Sequence, residues 1–285
     1  MYVAVIDTET TGDGELDQVC EVAVVTVTSG RVAQSRTQLI KPTCSISPAA
    51  RGVHHITDEE LECEPTMTDL MARRISLLNI IKNADYVAGH FVDFDVRMLA
   101  QSGYVSAKPT VCTWKCARHV WPDAPSYGNQ TLRYWLDLPI PKLRHPPHRA
   151  LTDAVVTAHI LARMLATDRT IDDLVTLTSA PVLLRTVSFG KYRGQTWREV
   201  RLKDRGYLSW LLRQDFGADE KHTAEHWLKM TREEVDATGE VGEVLQVREG
   251  QTLDIPAETG GDAEGPADSG PNLSEVPVHE RIPRA

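Results

Sequence analysis

Apolar and polar positions alternate along the chain in an order that predicts strands first and helices after them. Residues 2–7 (YVAVID) form a nearly unbroken apolar run, 19–28 (VCEVAVVTVT) a second, and 31–40 a third that stops at Lys41-Pro42. Val-rich runs of this length, bounded by Gly12-Asp13-Gly14 and Ser29-Gly30, predict three strands of an antiparallel meander. From Met67 the spacing changes: apolar residues recur at helical intervals through 67–82, and 84–89 reads as a short buried strand. Further helices are expected at 95–101, 112–120, 130–136 and 149–165. Strands followed by helices that pack on them predict a layered α/β or α+β domain over residues 1–170.

A second unit is expected at 181–230. It holds Phe189, Tyr192, Trp197, Tyr207, Trp210 and Trp227, and between Arg185 and Arg205 seven Lys or Arg stand against Glu199 and Asp204. Most of these aromatics are expected in a small core, because aromatic rings dominate burial in units of this size. From 231 to 285 Gly, Pro, Glu, Asp and Ser prevail and aromatics vanish. Such a tail buries too little apolar area to offset the entropy of ordering it, so disorder is expected there.

Charge alters the picture once it is counted by segment. The net charge of −9 argues against a nucleic-acid partner, yet residues 1–230 carry 27 acids and 27 bases, and 231–285 carry 13 and 4. The negative charge therefore lies in the tail, and a nucleic-acid partner is open to the rest. The five cysteines have no CxxC spacing, which predicts free thiols in a reducing cytoplasm rather than a disulfide framework or a zinc ribbon. No run approaches the roughly 18 apolar residues of a membrane span, and the start of the chain lacks a basic leader, so neither membrane nor export is expected.

Two acids close the first apolar run. Side chains alternate across a strand, so Asp7 and Glu9 point the same way and repel unless a cation lies between them. Two other clusters supply the same chemistry. In Gly89-His90-Phe91-Val92-Asp93-Phe94-Asp95, Asp95 opens an amphipathic helix, where it or Asp93 can also serve as a cap. In His145-Pro146-Pro147-His148-Arg149-Ala150-Leu151-Thr152-Asp153, five residues of helix turn through roughly 500 degrees, so His148 and Asp153 cannot share a helical face. His148 is expected on the loop that leads into the helix, with Asp153 one turn inside and facing the sheet. Taken together, four carboxylates suit two hard divalent cations and a histidine suits a proton acceptor, which is the chemistry phosphodiester hydrolysis needs.

The motifs DTET, FD and HRALTD, in that order, resemble those of the DEDDh exonucleases, the DnaQ-like nucleases of ribonuclease H-like fold. The stretches 54–67, 112–122, 148–161 and 188–212 are similar to one branch of that family, which carries such a basic aromatic unit after its nuclease domain. The resemblance implies a mixed sheet flanked by helices and a 3′ to 5′ exodeoxyribonuclease that releases nucleoside 5′-monophosphates. It implies that Asp7, Glu9 and Asp153 hold one Mg²⁺, that Asp7 shares a second, that Asp95 completes the site and that His148 is the general base, with Mn²⁺ able to substitute. Thr8, Thr10, Thr11 and Gly12 would line the pocket of the terminal nucleotide with their backbone close to its sugar and phosphate, and His55 would approach the substrate. Phe91 departs from the Asn usual after the middle histidine and would meet the same pocket.

In the second unit, exposed Lys191, Tyr192 and Arg193, with Arg198 beside them, are expected to grip the phosphates of DNA behind its 3′ end. Two other readings share the motifs: an exoribonuclease, since metal and backbone chemistry do not read the 2′-hydroxyl, and a polymerase-associated or repair-associated binding subunit.

Overall fold

The first three apolar runs become β1 (Tyr2–Thr10), β2 (Val19–Thr28) and β3 (Arg31–Leu39) in a computed structural model that describes residues 1–73, 76–140 and 145–238. β2 pairs antiparallel with both β1 and β3. Between β2 and β3, Ser29 and Gly30 both adopt left-handed backbone, with φ of 50° and 76°, as a two-residue hairpin turn requires. β4 (Tyr86–Gly89) and β5 (Thr110–Cys112) add parallel to β1, giving the order β3-β2-β1-β4-β5.

Helices cover both faces. On one side lie α1 (Pro48–His54), α2 (Asp58–Leu61), α3 (Met67–Ala72), α4 (Leu77–Asn83) and α5 (Val92–Gln101) in chain order, and the last three pack on the sheet. On the other lie α6 (Thr113–Val120), α7 (Asn129–Trp135), α8 (Ala150–Leu165) and α9 (Ile171–Ser179). The period-two alternation divides the strands between these layers. Ala4, Ile6, Val22 and Val24 face α3 to α5, whereas Val3, Val5, Ala23 and Val25 face α8 and its neighbours. Ala150, Ala154 and Ala158, four residues apart and fully buried, leave α8 a small-residue line on which the sheet can approach closely.

Residues 182–238 gather around a separate apolar cluster that includes Val187, Trp197, Val200, Leu208 and Leu211. A turn of 3₁₀ helix at Gly190–Tyr192 precedes α10 (Trp197–Lys203), α11 (Arg205–Leu211), α12 (Ala218–Lys229) and α13 (Arg232–Ala237).

The mixed sheet between helical layers agrees with the expected fold, and the boundaries differ where local chemistry overrides the apolar pattern. β1 runs on to Thr10, so both acids lie inside the strand. The helix expected over 67–82 is two helices, because Arg73 turns extended (ψ 130°) at the end of α3. Cys112 ends β5 and does not begin a helix, and α5 starts at Val92, three residues before Asp95. α1, α2 and α9 had no apolar signature strong enough to announce them. The expected disorder from 231 is corrected at its start: Thr231 forms a capping box with Glu234, and Val235 is buried under α10, where Arg198 bonds its carbonyl. The rest of that tail lies outside the described residues. Among the described residues no helix is long and apolar enough to cross a membrane.

Candidate active site

Because α8 covers the face to which Asp7 and Glu9 point, an acid in its first turn meets them. Carboxylate oxygens of Asp7, Glu9 and Asp153 lie within 4.8 Å of one another. Asp95 comes from the opposite layer. It sits buried in the first turn of α5, and the Thr8 hydroxyl, on the strand face away from Asp7 and Glu9, donates to its Oδ1 at 2.8 Å. The four acids thus converge on the carboxyl end of β1 from a strand and two helices on opposite faces. Asp93, the alternative to Asp95, is exposed and turns instead into a neighbouring cleft.

His148 lies on the loop before α8, exposed, with a left-handed φ of 63°. Its backbone N–H donates to Asp153 Oδ2 at 2.6 Å, and Gln130 of α7 donates to Oδ1 at 3.0 Å. The loop histidine is therefore tied by its own backbone to an acid of the cage.

Crowding of like charge dominates the electrostatics. Burial, then the charges of Asp95, Glu9 and Asp153, hold the Asp7 carboxyl well above the usual carboxylate range. Burial pushes Glu9 up to about 8, with Glu21 and Asp153 adding to it, and burial pushes Asp95 up to about 7 against the pull of the Thr8 bond. Burial also raises Asp153, although the His148 N–H and Gln130 oppose it. Carboxylates that favour protonation for this reason are those a divalent cation relieves, and an all-oxygen donor set fits a hard cation such as Mg²⁺.

Sequence reasoning missed a fifth acid. Glu21 on β2 stands directly opposite Glu9 and is only 2% exposed. Arg149 grips it with two bonds of 2.9 and 3.1 Å, the Ala150 N–H donates to it at 3.1 Å and the Thr37 hydroxyl at 3.2 Å. Glu21 therefore caps the start of α8 from another strand, which fixes where Asp153 and the His148 loop stand. A lone Glu in the apolar run VCEVAVV was the available signal, since an acid is almost never fully buried unless paired.

The loop after β1 departs from expectation at Thr11, whose backbone was to face the nucleotide. The hydroxyls of Thr8, Thr10 and Thr11 are spent on Asp95, the Gly12 carbonyl and Asp17 respectively. Thr11 is fully buried, and both its backbone groups are bonded within the protein, to Gln18 and Ser47. It supports the loop and presents nothing to a substrate. Gly12 fits against the Asp17 carboxylate, where a Cβ would stand 2.5 Å from Oδ2; its N–H makes no bond among the described residues. Buried His54 braces this loop: its Nδ1 accepts from Ile56 N–H, so Nε2 carries the proton and donates to the Thr10 carbonyl at 3.1 Å. His55, next to it, is exposed at the end of α1 with φ 60°.

Phe91 is half exposed, with φ 69° at the start of α5. Left-handed backbone costs an ordinary residue roughly 1–2 kcal/mol. Its ring lies tilted by 32° against Trp114 with centroids 4.5 Å apart.

The basic unit also departs from expectation. Tyr192 is buried and donates its hydroxyl to Asp204 at 2.8 Å, so it is a core residue rather than a phosphate contact. Lys191 is exposed but paired with the same carboxylate at 3.0 Å, which Lys191, the Tyr192 hydroxyl and the Tyr207 N–H together hold down at about 2. Arg198 is occupied by the carbonyls of Val235 and Asp236. Arg193 is exposed, and its side chain makes no hydrogen bond or ion pair among the described residues. Trp210, expected in the core, is 41% exposed and stacks on Tyr207.

A mixed sheet with an acid cage at the end of its central strand is the architecture of a nuclease domain. Residues 4–161 match the family described as Exonuclease, and residues 187–216 match the Exodeoxyribonuclease X-like C-terminal family. The chain belongs to this exonuclease family. It is 31% identical over 233 residues to Exodeoxyribonuclease 10 of Escherichia coli strain K12, covering 80% of this chain and 99% of that protein. DNA polymerase III subunit epsilon of Aquifex aeolicus is 28% identical over 167 residues, covering 56% of this chain and 79% of that one. Among solved structures, Exonuclease X in complex with 5′ overhanging duplex DNA is similar with a TM-score of 0.51 and 28% identity, over 62% of this chain and 99% of that one. The likeness of the motifs to the DnaQ-like exonucleases, and of the longer stretches to exodeoxyribonuclease X, is thereby borne out.

Proposed function

We propose that the chain is a 3′ to 5′ exodeoxyribonuclease that hydrolyses the terminal phosphodiester of DNA and releases nucleoside 5′-monophosphates. The observation that carries this reading is the convergence of Asp7, Glu9 and Asp153 within 4.8 Å, with the His148 loop bonded to one of them. DNA is favoured as substrate because the E. coli relative similar over most of the chain is named an exodeoxyribonuclease.

Asp7, Glu9 and Asp153 would hold one Mg²⁺, and Asp7 with Asp95 a second. Divalent cations bound there would neutralise charge on the attacking and leaving oxygens and make a bound water more acidic. The chain's own residues do the rest. His148 accepts the proton of the attacking water, as imidazole suits near neutral pH. Asp153 positions His148 through the backbone bond, and Glu21 positions Asp153 through the cap on α8. Water adds to phosphorus, the P–O3′ bond breaks, and the departing 3′-oxygen takes a proton from solvent, so the shortened strand keeps a 3′-hydroxyl.

Matched DNA and RNA oligonucleotides of one sequence, digested side by side with Mg²⁺, Mn²⁺ or EDTA, test the proposal. Release of deoxynucleoside 5′-monophosphates with either cation and none with EDTA is expected. Faster release from RNA would favour the exoribonuclease reading.

A further inference from the structure

The parallel strands bring a second feature to the edge that carries the acids. β4 and β5 pair parallel, Gly89 beside Cys112, so α5 and α6 begin side by side at their carboxyl ends, next to the end of β1. Crevices at the carboxyl ends of strands are where α/β sheets take ligands. Here the crevice is a cleft of about 520 Å³ whose far wall comes from the C-terminal unit, through Leu184 to Ser188 and the start of α12.

Its inner wall carries Phe91 on Trp114, with His90 edge-on to the Phe91 ring at 5.6 Å. His90 is itself pinned between the Thr113 hydroxyl and the Tyr127 carbonyl. Phe91 keeps a large half-exposed ring on a left-handed backbone that Gly or Asn would adopt more readily. An outlier held in this way is a sign of function.

Charge in the cleft selects the kind of ligand. Lys115, Arg118 and Arg185 face Asp93, Asp219 and Glu220, so formal charges cancel. The cations are also engaged. Arg118 lies over the rings of Trp114 and Tyr127 and donates to the Leu183 carbonyl, Arg185 donates to the carbonyls of Pro122, Ala124 and Pro125, and Lys115 pairs with Asp219 at 3.9 Å. Phosphate recognition needs free positive charge, whereas a nucleobase needs a ring to stack on and polar edges.

We propose that this cleft is a nucleobase subsite, which takes an unpaired base of the strand whose 3′ end lies in the acid cage and stacks it on Phe91 between the nuclease sheet and the C-terminal unit. Phe91 stands just before α5 and Asp95 lies in its first turn, so the base belongs to a nucleotide close behind the one removed. The proposal rests on the exodeoxyribonuclease reading.

The test uses the full chain carrying Asp7→Asn, to stop cutting, with Mg²⁺ and a 5′-fluorescein single-stranded DNA 12-mer. Fluorescence anisotropy gives its Kd for the intact strand and for strands with one abasic site at the second, third or fourth position from the 3′ end. At one position the abasic strand is expected to bind on the order of 10-fold more weakly. Adding Phe91→Gly, which suits the left-handed backbone and should not lower Tm, is expected to weaken the intact strand equally and to abolish the difference between the two strands. Trp114→Ala should act in the same way and Trp114→Phe should restore much of the affinity. Indifference to all three abasic sites, or losses from variant and abasic site that simply add, would overturn the subsite. The unaltered chain is tested beside these on thymidine 5′-(p-nitrophenyl) phosphate, a single nucleotide that does not reach the cleft. Release of p-nitrophenolate with indifference to abasic sites sinks the subsite alone, and no release sinks the nuclease reading beneath it.

Discussion

Replacing Asp7 by Asn should abolish activity and at the same time stabilise the metal-free protein. At pH 8 without a cation the fold has two options for this carboxyl. It can keep Asp7 protonated against an ordinary value of 3.8, which costs about 6 kcal/mol at ~1.4 kcal/mol for each pH unit. Otherwise it carries the charge beside carboxylates whose oxygens lie within 4.8 Å, at about 3 kcal/mol for each ionised neighbour with an effective dielectric of ~20. With Glu9 keeping much of its proton near pH 8, one ionised neighbour makes the second route the less costly at about 3 kcal/mol, and Asn avoids both. A gain of about 3 kcal/mol corresponds to a Tm higher by roughly 6–12 °C for a folded region of this size. Thermal unfolding in EDTA at pH 8, followed by circular dichroism, reads it, and digestion of a labelled oligonucleotide in Mg²⁺ reads activity. An Asn variant with Tm equal to or below that of the parent in EDTA would refute the reasoning, because the acids would then not be repelling one another.

Four further outcomes follow from the same geometry. Glu9 and Asp95 titrate at about 8 and about 7 in the fold against 4.5 and 3.8 ordinarily, so between those limits the folded state binds more protons than the unfolded one. Metal-free stability should fall as pH rises from about 4 to about 8 and then level off, with Mg²⁺ flattening the slope; urea midpoints in EDTA at pH 5 and pH 8 check this. His148→Asn keeps a residue tolerant of φ 63° and should lower kcat about 10²–10⁴-fold with Tm nearly unchanged, as single-turnover kinetics would show. Glu21→Ala strands Arg149 and the Ala150 N–H and should destabilise by about 3 kcal/mol, whereas the Glu21→Ala, Arg149→Leu pair should lose less than the two singles combined. Arg193→Glu should raise the DNA Kd several-fold at low salt and less at high salt, and Lys191→Ala should do less, because Asp204 already occupies that lysine.

Particular residues show what the sequence could carry. Strand alternation alone puts Asp7 and Glu9 on one face, and helical geometry alone forbids His148 and Asp153 from sharing one, whereas the joining of Asp95 and Asp153 to that pair came with the resemblance of the three motifs to the DEDDh exonucleases. Glu21 was not legible, because its partner Arg149 is 128 residues away and a single acid in an apolar run does not say what pairs with it. Tyr192 read as exposed because it stands between two cations, yet Asp204, 12 residues on, draws its hydroxyl inward. The start of the acidic tail read as disordered from composition, which does not register one buried valine and the arginine that bonds to its carbonyl. The cleft beside Phe91 exists only because residues 184–188 fold back against α6, a contact that no local pattern encodes.

The central claim is that the acids at the end of β1 cut DNA from its 3′ end, and a 5′-labelled oligonucleotide tests it most directly. With Mg²⁺ the account predicts a ladder of progressively shorter 5′-labelled strands together with deoxynucleoside 5′-monophosphates, and neither with EDTA or with Asp7→Asn. Release of the label as a mononucleotide at the earliest times, or an unchanged ladder in the Asp7→Asn protein, would contradict it.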